Sequence, residues 1–374
     1  MAAAKPTLSA SASYEERRAF ILANKDDTSL PAWANDELLD TLAKYPKLFS
    51  PLDDEPARIP CNMSMKPGIA PSRARVRRIH PAIYDAFKAE LDTMVKAGIL
   101  IPAPAHVKWA SAIVVVPKRA TAVGKHAGVR ICGDFTTRNS AAVVPDYEHP
   151  VVGDLLNSLS DFTYGSTLDL TMGYSQVVIP AHMRESTTIV TPEGRFMYKR
   201  LPQGLAESAA IFSSGVADIL QHLINVGTVL QYVDDIAIVT RGGKAGDPKT
   251  IRRHIEDIDK TLSALSTANI RVNLLKSSFL STSISYLGCI VSNGKRSIDP
   301  SRLQGLNNLE PPRNLREAEA YGGLANYHST FVKNLAMTLS PLNDYIANER
   351  RERKLNKKHN TAPPAAVIDA FNQS

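Results

Sequence analysis

The stretch "GTVLQYVDDIAIVT", residues 227–240, places two adjacent carboxylates between two apolar runs. The runs, at residues 229–230 and 236–239, predict two short buried strands joined as a hairpin. Asp234 and Asp235 at the junction repel each other and lose hydration unless a cation compensates them. The stretch therefore predicts a cation partner. An ordinary hairpin turn is the alternative, because Asp is common in turns and the pair alone is a short signal.

A third carboxylate lies in the stretch "GSTLDLTMGYSQV", where Asp169 is flanked by Leu168 and Leu170 within another apolar strand. If this strand is a neighbour of the hairpin, the three carboxylates converge, and such a cluster repels itself unless divalent cations neutralise it. Hard oxygen ligands with room for substrate phosphates are typical of Mg²⁺ sites. Two Mg²⁺ ions held in this way activate an attacking hydroxyl and stabilise a leaving pyrophosphate.

The composition sets wide limits on the function. Of 374 residues, 44 are Lys or Arg and 37 are Asp or Glu, so the formal net charge of +7 suits a polyanionic partner, as it does in many unrelated proteins. Cys61, Cys132 and Cys289 show no paired spacing, which supports neither a zinc site nor a disulfide framework. The sequence lacks an apolar run of the roughly 18 residues that span a bilayer, and its start lacks a signal peptide's apolar core. We therefore expect an intracellular protein that is neither secreted nor bound to a membrane.

Helical and strand patterns are mixed along the chain. Apolar residues at helical spacing predict helices within residues 80–100, 208–224 and 251–270. Strand patterns separated by turn residues predict antiparallel hairpins within residues 109–135, 189–202 and 284–298, the last with its turn at Asn293 and Gly294. This mixture favours an α+β fold over a doubly wound sheet.

Five motifs, "LDLTMGY", "RLPQGL", "YVDD", "LLKSSF" and "YLGCIVS", follow one another in the order and spacing of a known family. With them, the chain resembles the reverse transcriptase domain of long-terminal-repeat retrotransposons of the Ty3/gypsy type, over about residues 80 to 345. The resemblance implies a right-hand polymerase with fingers, palm and thumb, in which an antiparallel palm sheet packs on helices. The implied division is a partly disordered N-terminal extension (1–78), fingers and palm (79–294), a thumb-like helical segment (295–345) and a basic polar tail (346–374), the truncated start of a connection to an absent RNase H.

The resemblance also implies a set of site residues. The catalytic carboxylates would be Asp169, Asp234 and Asp235, which together with the main-chain carbonyl of Leu170 would hold two Mg²⁺ ions, with Mn²⁺ as a substitute. The nucleotide-binding side chains would be Lys118 and Arg130 on the triphosphate, Tyr174 as a gate under the sugar, and Gln203 beside the nucleotide. Lys276 resembles a lysine proposed to protonate the leaving pyrophosphate, and Leu287 and Gly288 resemble the hairpin that grips the primer. Taken alone, these residues also fit surface charges, a core tyrosine and ordinary loop positions.

The function that the resemblance implies is RNA-directed DNA polymerase, which transfers nucleotides from dNTPs to a primer 3′-hydroxyl on an RNA or DNA template. Implied partners are that template with its primer and the RNase H and integrase parts of a polyprotein, in a cytoplasmic virus-like particle or the nucleus. One alternative is a degenerate or repurposed retroelement fragment that binds nucleic acid without catalysis. Another is an RNA-directed RNA polymerase, which Tyr174 and the Tyr-x-Asp-Asp form disfavour.

Overall fold

The computed structural model describes residues 30–71, 73–118, 128–298, 310–327 and 329–355, together with the isolated positions 16, 363–364 and 368. The chain divides into two compact units, Met1–Tyr286 and Leu287–Ser374. The strands are β1 (Ser64–Met65), β2 (Leu100–Pro102), β3 (Ala112–Pro117), β4 (Val129–Asp134), β5 (Ala142–Val143), β6 (Phe162–Asp169), β7 (Ile189–Thr191), β8 (Gly194–Tyr198), β9 (Val229–Tyr232), β10 (Asp235–Arg241), β11 (Ser278–Ser281), β12 (Ser283–Tyr286), β13 (Cys289–Ser292) and β14 (Lys295–Ile298). The helices are α1 (Ala32–Ala43), α2 (Tyr84–Lys96), α3 (Thr136–Ser140), α4 (Val152–Asn157), α5 (Ala181–Arg184), α6 (Ser208–Asn225), α7 (Pro248–Thr267), α8 (Leu315–Tyr327), α9 (Leu335–Thr338) and α10 (Ser340–Leu355).

A four-stranded antiparallel sheet in the order β11-β6-β10-β9 lies at the centre of the first unit. The apolar run of β10, residues 236–239, is at most 2% exposed, because both faces of this strand are covered. Tyr232 on β9 lies opposite Asp235 on β10, which leaves a turn of two residues between the strands. The predicted hairpin is therefore confirmed, and so is the α+β class with an antiparallel central sheet.

The helices α6 and α7 pack against this sheet, α6 along β9 and α7 along β6 and β10. α7 begins after Asp247, whose side chain accepts a hydrogen bond from the backbone N–H of Thr250, and Pro248 occupies its first position. Apolar residues recur along it at spacings of three and four, and all are at most 3% exposed: Ile251, Ile255, Ile258, Leu262 and Leu265. The sheet is thereby held on a rigid helical support.

A second group of strands lies beside the central sheet. β3 and β4 form the predicted hairpin, with Val116 opposite Arg130, and α2 packs on β4. Its predicted loop, which includes Gly124, lies outside the described residues. β2, β8 and β7 form a separate antiparallel sheet, and the predicted turn joins β7 to β8.

The described part of the predicted extension that covers residues 30–65 packs on the rest of the first unit. In the structure α1 packs on α7, and Leu38, Leu42, Leu48 and Ile59 join the main core of the first unit. The prolines of this segment do prevent long regular elements. Residues 30–65 nevertheless belong to the first unit.

The second unit begins at Leu287, eight residues before the predicted boundary after residue 294, because the hairpin β13–β14 belongs to it. Asn293 and Gly294 form the predicted turn of this hairpin, and both have positive φ. The predicted basic polar tail from residue 346 is helical in its first part, since α10 continues to Leu355. Arg, Glu, Lys and Leu favour helix, so a charged run need not be irregular. Within the described ranges, no helix is long and apolar enough to cross a membrane.

Candidate active site

Two of the three predicted carboxylates line one cavity of about 550 Å³ in the first unit. Asp169 is the last residue of β6, and its side chain is 28% exposed. Asp234 lies in the β9–β10 turn, where its main-chain oxygen accepts a 3.4 Å hydrogen bond from the N–H of Leu170. Asp235 is opposite Asp169 in the strand ladder but is not among the residues that line this cavity. The β6 strand is thus a neighbour of the hairpin, which is the condition under which the carboxylates converge.

The turn that carries Asp234 has an unusual backbone. Val233 has a φ of +56°, a left-handed conformation that costs a β-branched residue of the order of 1–2 kcal/mol. The buried side chain of Gln231 compensates this cost by donating hydrogen bonds to the main-chain oxygens of Val233 (2.9 Å) and Ser213 (3.4 Å). Sequence reasoning missed Gln231, because a single Gln within an apolar strand is the only signal it leaves.

The electrostatics around Asp169 are those of a carboxylate that needs a cation. Burial raises the pKa of the Asp169 carboxyl above its usual range; Lys276 opposes this effect, and the Asp234 carboxylate adds to it. The Lys276 ammonium lies 3.5 Å from Asp169 Oδ1. This contact places Lys276 beside the Asp169 carboxylate, and its role as a general acid stays a prediction.

The donors at this end of the cavity fit a hard divalent cation. Asp169 and Asp234 supply carboxylate oxygens, and the backbone of Leu170 lines the same space. In the described part of the chain, no group of three or more His, Cys, Asp and Glu side chains is arranged to hold a metal by itself. A Mg²⁺ ion here would therefore take its remaining ligands from water and substrate phosphates, as Mg²⁺ commonly does.

Tyr174 lies on a tight turn at the floor of the cavity. Met172 has a φ of +50°, and a 3-10 turn covers Gly173–Gln176. The Tyr174 ring meets the ring of Phe212 edge-on, with centroids 5.5 Å apart. Gly173 passes close to both Phe212 and Asp234, since a β-carbon built there would lie only 3.3 and 3.4 Å from them. This close approach keeps the Tyr174 turn next to the carboxylates.

The predicted phosphate-binding cations line the same cavity. Arg130 projects from β4, and Lys118 directly follows β3, where its ammonium lies 3.3 Å from Glu90 Oε2. Gln203 also lines this cavity. The structure thus brings together most of the predicted site: Lys118, Arg130, Asp169, Leu170, Tyr174, Gln203, Asp234 and Lys276. Leu287 and Gly288 open the second unit, where both have positive φ, and their role at the primer end stays a prediction.

A buried ion pair supports the loop that carries Gln203. Arg138 on α3 and Glu207 before α6 are both fully buried, and Arg138 Nη1 donates to Glu207 Oε2 at 2.6 Å. Next to it, Asn139 donates to the main-chain oxygen of Gly204 (2.8 Å) and accepts from the N–H of Ala206 (3.1 Å). Sequence reasoning did not find this pair, because two opposite charges 69 positions apart leave no periodic signal.

Comparisons with known sequences identify relatives of this chain. Residues 136–291 match the family "Reverse transcriptase (RNA-dependent DNA polymerase)". The chain is 27% identical over 330 residues to the retrovirus-related Pol polyprotein from transposon gypsy of Drosophila melanogaster. This alignment covers 87% of this chain and 30% of that protein. It is 32% identical over 258 residues to the retrovirus-related Pol polyprotein from transposon opus of the same organism. This second alignment covers 68% of this chain and 24% of that protein. The chain therefore spans less than a third of the length of these relatives.

Solved structures show the same fold. The foamy viral protease-reverse transcriptase dRH in complex with double-stranded DNA matches with a TM-score of 0.78 at 21% identity, over 100% of this chain and 62% of that chain. The foamy viral enzyme in complex with an RNA/DNA hybrid matches with a TM-score of 0.77 at 21% identity, over 98% of this chain and 47% of that chain. The predicted polymerase fold is confirmed. The match of residues 136–291 and the similarity to the gypsy and opus polyproteins identify the chain as one that carries a reverse transcriptase domain of the gypsy retrotransposon type.

Proposed function

We propose that the chain catalyses RNA-directed DNA synthesis, in which a primer 3′-hydroxyl attacks the α-phosphorus of a dNTP and pyrophosphate leaves. The observation that carries this proposal is the single cavity in which Asp169 and Asp234 lie with Lys118, Arg130 and Tyr174. It combines carboxylates for a metal, cations for a triphosphate and an aromatic ring for a sugar. The reverse transcriptase domain within residues 136–291 supports the same reaction.

In this proposal the carboxylates act, through bound metal ions, on the primer 3′-hydroxyl and on the phosphate oxygens of the dNTP. Asp169, Asp234 and the carbonyl of Leu170 would hold two Mg²⁺ or Mn²⁺ ions, and Asp235 would support them from the strand ladder. When bound, such ions lower the pKa of the primer hydroxyl and neutralise charge on the phosphates. Lys276, 3.5 Å from Asp169, is in reach to give a proton to the leaving pyrophosphate oxygen.

The other predicted residues of the cavity would bind the phosphates and the sugar of the incoming nucleotide. Arg130 offers a planar fork for two phosphate oxygens, and Lys118 offers a point charge once its ammonium leaves Glu90. Tyr174 would lie under the sugar and leave no room for a 2′-hydroxyl. Gln203 would contact the nucleotide from the loop that Asn139 holds.

The partners follow from the same proposal. A primed RNA or DNA template would bind through its backbone and shape, since base pairing carries the sequence information. Leu287 and Gly288 would contact the primer end. The relatives are Pol polyproteins, so RNase H and integrase parts are proposed partners of this chain inside the cell.

Primer extension tests this function. Purified protein is given a primed RNA template, dNTPs and Mg²⁺, and we expect extension in the wild type and its loss in Asp234→Asn, because the variant keeps the shape but loses one metal-binding charge. Asp92→Asn, on the exposed surface of α2, is the matched control and retains activity. Tight template binding with no extension in Mg²⁺ or Mn²⁺ would favour the alternative of a binding protein without catalysis.

A further inference from the structure

The turn that carries Tyr174 is tied to the chain near residue 271 by buried hydrogen bonds. The side chain of Gln176, only 1% exposed, donates to the main-chain oxygens of Thr171 (2.8 Å) and Arg271 (2.9 Å). Its amide oxygen accepts from the backbone N–H of Arg271 at 2.6 Å. The N–H of Thr171 also donates to the oxygen of Arg271, at 2.9 Å. The position of the turn therefore depends on the position of residue 271.

Two buried guanidinium groups lie under this turn. Arg271 and Arg200 are each 1% exposed, and an uncompensated buried charge is costly. Arg271 Nη1 donates to Asn269 Oδ1 at 2.7 Å, and Arg200 Nη1 donates to the main-chain oxygen of Ser175 at 3.1 Å, inside the turn. Both arginines thus need a nearby hydrogen-bond acceptor that carries negative charge.

Asp53 contacts both arginines. Its carboxylate Oδ2 lies 2.9 Å from Arg271 Nη2, and its main-chain oxygen accepts a short hydrogen bond from Arg200 Nη2. Residues 53–57, which we call the strap, run on beneath the turn, where the N–H of Ala57 donates to the oxygen of Gln176 at 3.0 Å. The strap comes from the segment that the sequence pattern placed outside the polymerase.

We propose that Asp53 is a positioning residue for nucleotide sugar selection: through Arg271 and Gln176 it fixes the turn that places the Tyr174 ring. The inference rests on the proposed function. A ring that excludes a 2′-hydroxyl must be held to a fraction of an ångström, and supporting contacts set that precision. Loss of the Asp53 carboxylate loosens the turn, so ribonucleotides are admitted more readily.

The test compares Asp53→Asn with Asp54→Asn. Both variants remove one negative charge that acts on Arg200, but the Asp54 side chain is 93% exposed and pairs with Lys199, 3.3 Å away, whereas the Asp53 carboxylate contacts Arg271. The ratio of kcat/KM for a dNTP to kcat/KM for the matching rNTP is measured for each. We expect the ratio to fall about 3- to 10-fold in Asp53→Asn and to stay at the wild-type value in Asp54→Asn. Asp53→Glu keeps the carboxylate and is expected to recover most of the ratio.

Two results would overturn the inference. The first is an unchanged ratio of kcat/KM for the dNTP to kcat/KM for the rNTP in Asp53→Asn. Partial unfolding lowers both kcat/KM values by the same factor, so an unchanged ratio shows a merely structural role. An equal fall in both variants shows a general charge effect instead of the contact with Arg271.

Hydrogen exchange gives a readout that does not need activity. We expect faster amide exchange in residues 171–177 of Asp53→Asn than in Asp54→Asn, because these residues depend on the strap. Equal exchange in the two variants contradicts the inference. A wild-type chain that incorporates no nucleotide contradicts the proposed function instead, and the exchange result then decides whether Asp53 holds the turn.

Discussion

Tyr174 is the residue on which the choice between deoxy- and ribonucleotides depends in this account. Its ring is fixed edge-on against Phe212, on a turn that passes beside Asp234. Tyr174→Ala removes the ring, so we expect discrimination against a ribonucleotide to fall by about 10- to 100-fold, as judged by the ratio of kcat/KM values. Tyr174→Phe keeps the ring and serves as the control. Unchanged discrimination in the Ala variant refutes the role of the ring.

His254 is a buried residue that makes stability depend on pH. Its ring lies 2.8 Å from the hydroxyls of Ser166 on β6 and Thr240 on β10, so it links two strands of the central sheet to α7. Burial lowers its pKa from 6.5 to about 3. The unfolded chain therefore takes up a proton near pH 6.5 while the folded chain does not, and stability is lost as the pH falls from about 6.5 toward 3.

The expected size of this effect is about 2 kcal/mol of unfolding free energy between pH 7 and pH 5. Urea unfolding at both pH values measures it. His254→Gln has no titrating ring, so its unfolding free energy should fall by about 2 kcal/mol less over the same range. The same pH slope in the two proteins contradicts the assignment.

Between elements, the buried pair Arg138–Glu207 joins α3 to the start of α6. Removing one partner of such a pair leaves an uncompensated buried charge, so Glu207→Gln is expected to lower the unfolding free energy by about 3–5 kcal/mol. The control is Glu37→Gln, whose carboxylate pairs with Arg252 at the surface and contributes at most about 1 kcal/mol. Urea unfolding compares them, and equal losses argue against a special role for the buried pair.

The elements also show which features a sequence pattern can predict. β10 was predicted because a short continuous apolar run is a local signal of a buried strand, and α7 because apolar residues at spacings of three and four are a signal of a helix. The start and end of an element depend on its surroundings: the helix predicted within residues 251–270 runs instead from Pro248 to Thr267. The local pattern therefore predicted the existence of an element more accurately than its first and last residues.

In the whole molecule, contacts between distant segments escaped prediction. The family motifs located Asp169 and Asp234, and the structure places both on one cavity. They did not indicate that Asp53 reaches Arg271, 218 positions away, because a carboxylate in a proline-rich stretch looks like a solvated charge. Chemistry that is concentrated in short motifs was readable from the sequence, whereas the supports of that chemistry were not.

The most direct test of the central claim is a single-turnover form of the primer extension, with wild type and Asp234→Asn on templates that differ only in the first unpaired RNA base. We expect the wild type to add the one dNTP that is complementary to that base, and a different base to select a different dNTP. We expect chelation of divalent ions, or the substitution Asp234→Asn, to abolish the addition. Addition that persists in Asp234→Asn at the wild-type rate, or that ignores the template base, would contradict it.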